Sequence, residues 1–322
     1  LDSIMEQEFN SQFEIIVVDG GSDDDTKKLI KLYQKNYSNI LLINNIKRTV
    51  PIGFNMALSK AKGDVIVRID GHSELKPNFL KNCILALNKT NSDCVGGPTI
   101  HVSNSIVGES IKICQTSLFG SGGVQFRKED NKSKYVDTLA FGAYKRRVFK
   151  SIGGYDEELI RNQDDEFNFR LIQNGGKIWL DSSIKSIYYT RNTLFSFAKQ
   201  YFQYGLYKIR VIQKRRNFSS IRHLIPFIFV LLILGSIISS YLYSSNIQLF
   251  LLSIIYFSIS FIFTIHKLSL FKYHILSITL LPIVYFVMHF SYGVGSLIGL
   301  IYFINKWKDN SVKDNHFNIA DF

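Results

Sequence analysis

The chain has 322 residues, 46% of them hydrophobic, and a net charge of +12, enough for one ordinary globular domain plus something else. The charge gathers late, with eleven Lys or Arg against three Asp from Tyr201 onward, and a basic run beside long apolar segments points to anionic lipid and away from nucleic acid. Cys83, Cys94 and Cys114 have an odd count and no ligand spacing, which argues against a disulfide framework or a cysteine metal centre and fits a reduced, cytosolic domain.

The start, Leu1-Asp2-Ser3-Ile4-Met5-Glu6, is acidic, lacks the apolar stretch of a signal peptide and lacks an initiator Met, so a fragment is expected. Phe13 to Asp19 reads as a buried strand, followed by the acidic-glycine turn Gly20 to Thr26 and a helix carrying Leu29, Ile30, Leu32 and Tyr33. Leu41-Leu42-Ile43 is expected as a second strand, and Ile52 to Lys60 as a helix that returns to the sheet at Asp64. This alternation predicts a mostly parallel sheet with helices on both faces, in which Asp19 and Asp70 lie at one edge. An acid at the tip of the first strand suits a donor on a base or ribose. No GxGxxG or phosphate-cradling loop occurs, so a Rossmann oxidoreductase or a kinase is unsupported.

Val65-Ile66-Val67-Arg68-Ile69-Asp70-Gly71-His72 is an apolar run ending in an acid, a glycine and a histidine. It reads as a buried strand whose carboxyl end is where an open α/β sheet places its ligand. A carboxylate and an imidazole two residues apart suit Mn²⁺ or Mg²⁺ bridging to a diphosphate. Taken alone, the same residues serve equally as a helix cap and a surface loop. Further on, Asp164, Asp165 and Glu166 precede a helix pattern of Phe167, Phe169, Leu171 and Ile172, at its positive amino end. Adjacent acids repel and raise a carboxyl toward a basic value, although Asp164 is also placed to cap the helix.

Phe195, Ala198, Phe202, Leu206, Ile209 and Ile212 recur every three or four residues among basic neighbours, as in a helix lying in a membrane interface. The cluster Lys208, Arg210, Lys214, Arg215, Arg216 and Arg222 follows, and then Ile225 to Tyr243, Ile247 to Ile265 and Ile275 to Ile304 without a single Asp, Glu, Lys or Arg. Each run is long enough to span a bilayer, and the basic cluster places the preceding domain in the cytosol.

Ile16-Val17-Val18-Asp19-Gly20-Gly21-Ser22-Asp23-Asp24-Asp25-Thr26 resembles the strand and turn of family 2 glycosyltransferases, and Arg68-Ile69-Asp70-Gly71-His72 stands where that family has its DxD. Gly153-Gly154-Tyr155-Asp156-Glu157 and the run from Gln163-Asp164-Asp165-Glu166 to Arg170-Leu171 resemble its GGFDE and ED…RL blocks. Gln200 to Gly205 and Arg210 to Lys214 are similar to the succinoglycan-biosynthesis type. The family's PxxNE strand is missing, His72 replaces the second acid of DxD, and Gly20 replaces the second acid of VVDD.

The resemblance implies an α/β GT-A fold, a nucleotide-diphospho-sugar transferase with a Rossmann-like, mostly parallel sheet, followed by C-terminal transmembrane helices. It implies a UDP-sugar donor, a lipid-linked acceptor, a divalent metal and inversion at the anomeric carbon, with membrane lipids and no nucleic acid as further partners. Asp164 falls on the catalytic acid's position; Asp19, Asp70 and Arg68 fall to donor binding and Asp70 with His72 to the metal, with Asp165, Glu166 and Gln163 as secondary candidates. The expected domains are a catalytic 1–198 without its first strand, an amphipathic interfacial helix and basic linker 199–221, about three spans over 222–305, and a polar tail 306–322. The QxxRW of processive synthases is absent, so one sugar per acceptor is expected, in exopolysaccharide or cell-surface polysaccharide assembly at the cytoplasmic membrane. The alternatives are transfer to polyprenyl phosphate itself and an inactive membrane scaffold.

Overall fold

The structure is a computed structural model that describes residues 1–128, 132–217, 220–269 and 273–307. The described residues form two compact units, one of 1–99 and 132–186, the other of 100–128 and 187–307. Lys272 and the tail after Trp307 lie outside the described residues.

In the first unit a short α1 (Asp2–Met5) precedes β1 (Ile15–Asp19), α2 (Thr26–Asn36), β2 (Ile40–Asn44), α3 (Val50–Lys60), β3 (Val65–Val67), β4 (Ser73–Leu75), α4 (Phe79–Thr90) and β5 (Cys94–Gly96). β1 and β2 pair in parallel from Ile15 opposite Ile40 to Asp19 opposite Asn44, and α2 covers them by burying Ile30 against Ile15 and Ile40. α3 starts with Pro51 in its first turn, where the missing N–H costs nothing.

The chain then passes through β6 (Thr99–Val102), α5 (Ile106–Thr116) and α6 (Leu118–Ser121). β7 (Lys134–Tyr135), β8 (Ala143–Lys145), α7 (Arg146–Ile152), α8 (Gln163–Gln173) and β9 (Ile178–Leu180) complete the first unit. Its second sheet has the order β3-β8-β5-β9-β7. β5 and β9 run parallel, whereas β8 is antiparallel to both β3 and β5, and β7 is antiparallel to β9. The sheet is therefore mixed where the alternation of elements predicts a mostly parallel one, and β1 with β2 forms a separate ribbon. The departure comes from β8, three residues that enter head to tail between β3 and β5 and bury Ala143 and Tyr144.

In the second unit β10 (Ser186–Tyr189) is a neighbour of β6, and α9 (Leu194–Arg215), α10 (Ile225–Tyr243), α11 (Ile247–Leu268), α12 (Ile275–Thr279) and α13 (Leu281–Tyr302) follow. Three helical segments are long and apolar enough to cross a membrane: 221–243, 247–268 and 281–302. They differ in burial, with 6%, 17% and 44% of the most apolar stretch covered by protein. α13 is covered because α9 lies along it, the numbers rising together from Gly205 against Tyr292 to Gln213, which donates to the Phe303 carbonyl. A Cβ on Gly205 would stand 2.0 Å from the Tyr292 carbonyl oxygen, and one on Gly295 2.1 Å from that of Phe202, so small residues set the approach.

Of the α9 residues expected to meet the membrane, Phe195 is 80% exposed and Ile209 is buried, and Phe197, Tyr201 and Val211, outside that set, are buried as well. Lys208, Arg210 and Lys214 are buried too, and Arg210 donates to the Lys306 carbonyl at 3.3 Å.

Candidate active site

β3 ends at Val67, and Asp70 begins a turn closed by Ser73, whose amide and hydroxyl both donate to the Asp70 carbonyl. This puts Arg68, Asp70 and His72 on an irregular segment beyond the strand. Arg68 Nη2 donates to Asp70 Oδ1 at 2.8 Å, and its Nη1 stands 3.8 Å from Asp164 Oδ2. The guanidinium lies 5.6 Å from the centre of the Tyr155 ring, which is itself stacked on Phe54 at 4.1 Å. One cation thus joins two carboxylates that are far apart in sequence, one before β4 and one in the first turn of α8.

Asp164 keeps 43% of its side chain open, yet it is surrounded. Desolvation pushes its carboxyl up from the ordinary aspartate value; Asp165 and Asp70 add to the rise, against the pull of Arg68. Its Oδ1 accepts from the Asp165 amide at 2.9 Å. Asp164 is not the residue that caps α8, since that place belongs to Asn162 in a left-handed conformation, φ 61°.

Asp70 leaves its second oxygen, Oδ2, without a partner among the described residues, and His72 is exposed two residues on. Among the described residues no group of three or more His, Cys, Asp or Glu is placed to hold a metal. One open carboxylate oxygen and one exposed imidazole fit a cation that draws the rest of its shell from a diphosphate and water, as Mg²⁺ commonly does.

The secondary candidates separate. Glu166 is fully buried, and both its oxygens accept from Arg170, at 3.0 Å each. Arg170 also donates to the Ile152 carbonyl and, at 2.7 Å, to that of Gly154. The Glu166 carboxylate neutralises a buried guanidinium that ties α8 to Gly153-Gly154-Tyr155. Gln163 is 5% exposed and its Oε1 is buried without a partner, while Asp165 is half-buried beside Asp164.

Asp19 sits at the tip of β1, with 2% of its side chain exposed. The amides of Gly21 and Ser22 donate to it at 2.9 and 3.1 Å, and Lys27 Nζ stands at 3.2 Å. Hydrogen bonds from Ser22 lead in lowering its pKa to about 2 against the cost of burial, with Gly21 and Lys27 assisting. Asp19 thus first holds its own turn, and among the described residues no hydrogen bond or ion pair joins it to Arg68, Asp70 or Asp164.

Three further residues shape the site: Tyr155, from the Gly153-Gly154-Tyr155-Asp156-Glu157 block, and Asn55 and Arg48, which no sequence pattern singled out. Tyr155 forms the aromatic floor under Arg68, and burial pushes its phenol up to about 12, which keeps it protonated. Asn55 fixes that floor by accepting from the Tyr155 amide and donating to its carbonyl, both at 2.8 Å. Arg48 has φ 56° and packs its guanidinium on Gly21, where a Cβ would lie 2.9 Å from Nε. Only the strained backbone of a non-glycine residue marks Arg48, and that is visible in coordinates alone.

A family profile described as Glycosyl transferase family 2 matches residues 1–153. A Methanococcus voltae protein named dolichyl N-acetyl-alpha-D-glucosaminyl phosphate 3-beta-D-2,3-diacetamido-2,3-dideoxy-beta-D-glucuronosyltransferase is 33% identical over 239 residues, 71% of this chain and 73% of the relative. The succinoglycan biosynthesis protein ExoA of Rhizobium meliloti is 27% identical over 214 residues, 66% of this chain and 64% of the relative. Among solved structures, S. aureus TarS 1-349 in complex with UDP aligns with a TM-score of 0.45 and 19% identity, over 65% of this chain and 60% of that one. With a third of the 239 aligned residues identical along 73% of a named transferase, this chain belongs to family 2 of the glycosyltransferases and carries their GT-A type of α/β unit.

Proposed function

We propose that the protein is a membrane-anchored, metal-dependent inverting glycosyltransferase that moves a sugar from a UDP-sugar to a lipid-linked saccharide in exopolysaccharide or cell-surface polysaccharide assembly. The observation that carries this reading is the string Asp70, Arg68, Asp164, which sets a metal-competent carboxylate and a base-competent carboxylate on either side of one guanidinium. The relatives' names support the acceptor class, one being a transferase onto a dolichyl phosphate-linked sugar and another a succinoglycan biosynthesis protein.

In this reading Asp164 takes the proton of the acceptor hydroxyl as its oxygen bonds to the anomeric carbon. The bond from that carbon to the diphosphate oxygen breaks, the electron pair leaves with UDP, and attack from the opposite face inverts the centre. Asp70, through the oxygen that Arg68 leaves open, and His72 would hold Mn²⁺ or Mg²⁺, which neutralises charge on the departing diphosphate. Arg68 fixes both carboxylates and presents its remaining charge to the donor, and Asp19 accepts from the uracil.

The metal role has a direct test in the full chain. UDP binding measured by calorimetry is expected to need Mn²⁺ or Mg²⁺ and to vanish with EDTA. Asp70→Ala removes the metal-dependent part, and His72→Ala weakens it and shifts preference away from Mn²⁺. UDP binding indifferent to EDTA would assign both residues to structure.

For location we infer a cytoplasmic-membrane protein with two crossings, α10 and α11, and the catalytic unit in the cytosol. α9 carries Lys199, Gln200, Gln203, Arg210 and Lys214, a load too polar for the acyl core, and α13 runs beside it along its length. α13 then shares the depth of α9 and stays on the cytosolic side, which keeps Lys306 with the basic cluster, in line with the positive-inside rule. This favours two crossings over the three that length and composition allow. In intact cells a membrane-impermeant maleimide should label Ser245→Cys and spare Asn305→Cys until the membrane is opened. Labelling at 305 in intact cells means that α13 crosses.

A further inference from the structure

The second unit holds a polar cluster that the catalytic reading does not use. Arg127, which ends the short helical turn Gln125–Arg127, donates from Nη1 to the Tyr201 hydroxyl at 2.9 Å. That is the one side-chain hydrogen bond of Arg127 among the described residues, and the guanidinium also lies 5.7 Å from the centre of the Phe126 ring. A guanidinium offers five N–H donors in a planar fork, so most of them are unspent.

Two amides face tyrosines beside Arg127, Gln115 the Tyr201 hydroxyl and Gln200 those of Tyr204 and Tyr188. Gln115 on α5, 1% exposed, donates to the Tyr201 hydroxyl at 3.4 Å, and its amide faces His101, while its buried Oε1 has no partner at hydrogen-bond geometry. Gln200 on α9 donates to the hydroxyls of Tyr204 at 2.9 Å and Tyr188 at 3.4 Å, and its Oε1 is likewise buried and unpartnered. His101 meets the Tyr188 ring at 5.1 Å. Burial first, then Arg127 and Lys112, push His101 down to about 3, so it stays neutral and Arg127 is the cluster's permanent charge. Unspent cationic donors beside two orphaned acceptors, walled by tyrosine rings, suit a ligand that is both anionic and hydroxylated. A phosphate answers the fork of Arg127, and sugar hydroxyls answer the amide oxygens.

We propose that this cluster seats the phosphate-bearing head of the acceptor, with Arg127 on a phosphate and the Gln115 and Gln200 oxygens accepting from hydroxyls of the sugar attached to it. The inference rests on the lipid-linked acceptor of the proposed function and names the residues that would recognise it. The same unit carries the apolar helices, so a lipid tail has a place beside its head.

The test uses the full chain in lipid nanodiscs with farnesyl phosphate, farnesol, inorganic phosphate and UDP as calorimetric probes. Farnesyl phosphate is expected to bind at least tenfold more tightly than farnesol or inorganic phosphate. Arg127→Gln should lose at least tenfold for farnesyl phosphate and nothing for UDP. If Arg127→Gln does not fold, Arg127→Lys is read instead: it keeps the charge and loses the fork, so a several-fold loss is expected. Unchanged farnesyl phosphate affinity in the variant overturns the site, as does inorganic phosphate binding equal to that of farnesyl phosphate, the mark of a free-anion site. A wild type that binds UDP but not farnesyl phosphate counts against this cluster alone, whereas one that does not bind UDP counts against transfer from a nucleotide sugar.

Discussion

Asp164→Asn in the full-length enzyme is expected to leave UDP-sugar binding nearly unchanged and to cut turnover by about a hundredfold or more, the scale of a lost general base. The substitution is close to isosteric, and the Asn oxygen still accepts from the Asp165 amide, so the first turn of α8 should hold its shape. What disappears is the charge that receives the proton. The pH profile adds a second readout. Because the carboxyl is raised above its ordinary value and works only when ionised, kcat/KM in the wild type should fall as pH drops through that raised value and level off above it. In Asp164→Asn that inflection should vanish. Wild-type turnover in the variant would remove Asp164 from the chemistry, and loss of UDP binding would assign it to the donor site.

Glu166→Gln is expected to act on stability instead. It breaks a buried pair and strands Arg170, only 8% exposed, at a cost of about 3–5 kcal/mol. The melting temperature should fall by on the order of 10 °C for a unit of this size. Loss of order should reach Gly154 and Tyr155, since Arg170 donates to the Ile152 and Gly154 carbonyls. Replacing both partners, Glu166→Leu with Arg170→Met, should recover much of the loss, because no charge then remains buried alone. Turnover per folded molecule should change far less than in Asp164→Asn. A variant with unchanged melting and abolished turnover would return Glu166 to the catalytic group.

The parts of this protein written locally were readable from sequence. β1 and its turn announce themselves by a β-branched run that meets Asp19 and two glycines, and Asp70 by the run that ends before Gly71. The meeting of Arg68 with Asp164 was not, because it depends on how a long intervening chain returns α8 to the end of β3. β8 is too short to show a period, so the antiparallel insertion that makes the sheet mixed left no trace. Glu166 sits in a run of three acids that look alike on paper; only burial against Arg170 separates it from Asp164. Nothing in the sequence shows what the glycines of α13 touch, whereas in the fold Gly295 and Gly299 are points of contact with α9. Tyr201 and Tyr204 share a turn of α9, but Tyr188 and Arg127 come from other segments and share no spacing that would join them to it.

Transfer itself is read by incubating the full chain in membranes with a panel of radiolabelled UDP-sugars, with and without Mn²⁺, and recovering lipid-extractable product. One donor is expected to yield labelled lipid-linked saccharide only with metal, in a linkage whose anomeric configuration is opposite to the donor's. UDP-sugar binding with no lipid-extractable label from any donor, or a product that retains the donor's configuration, would contradict the proposed reaction.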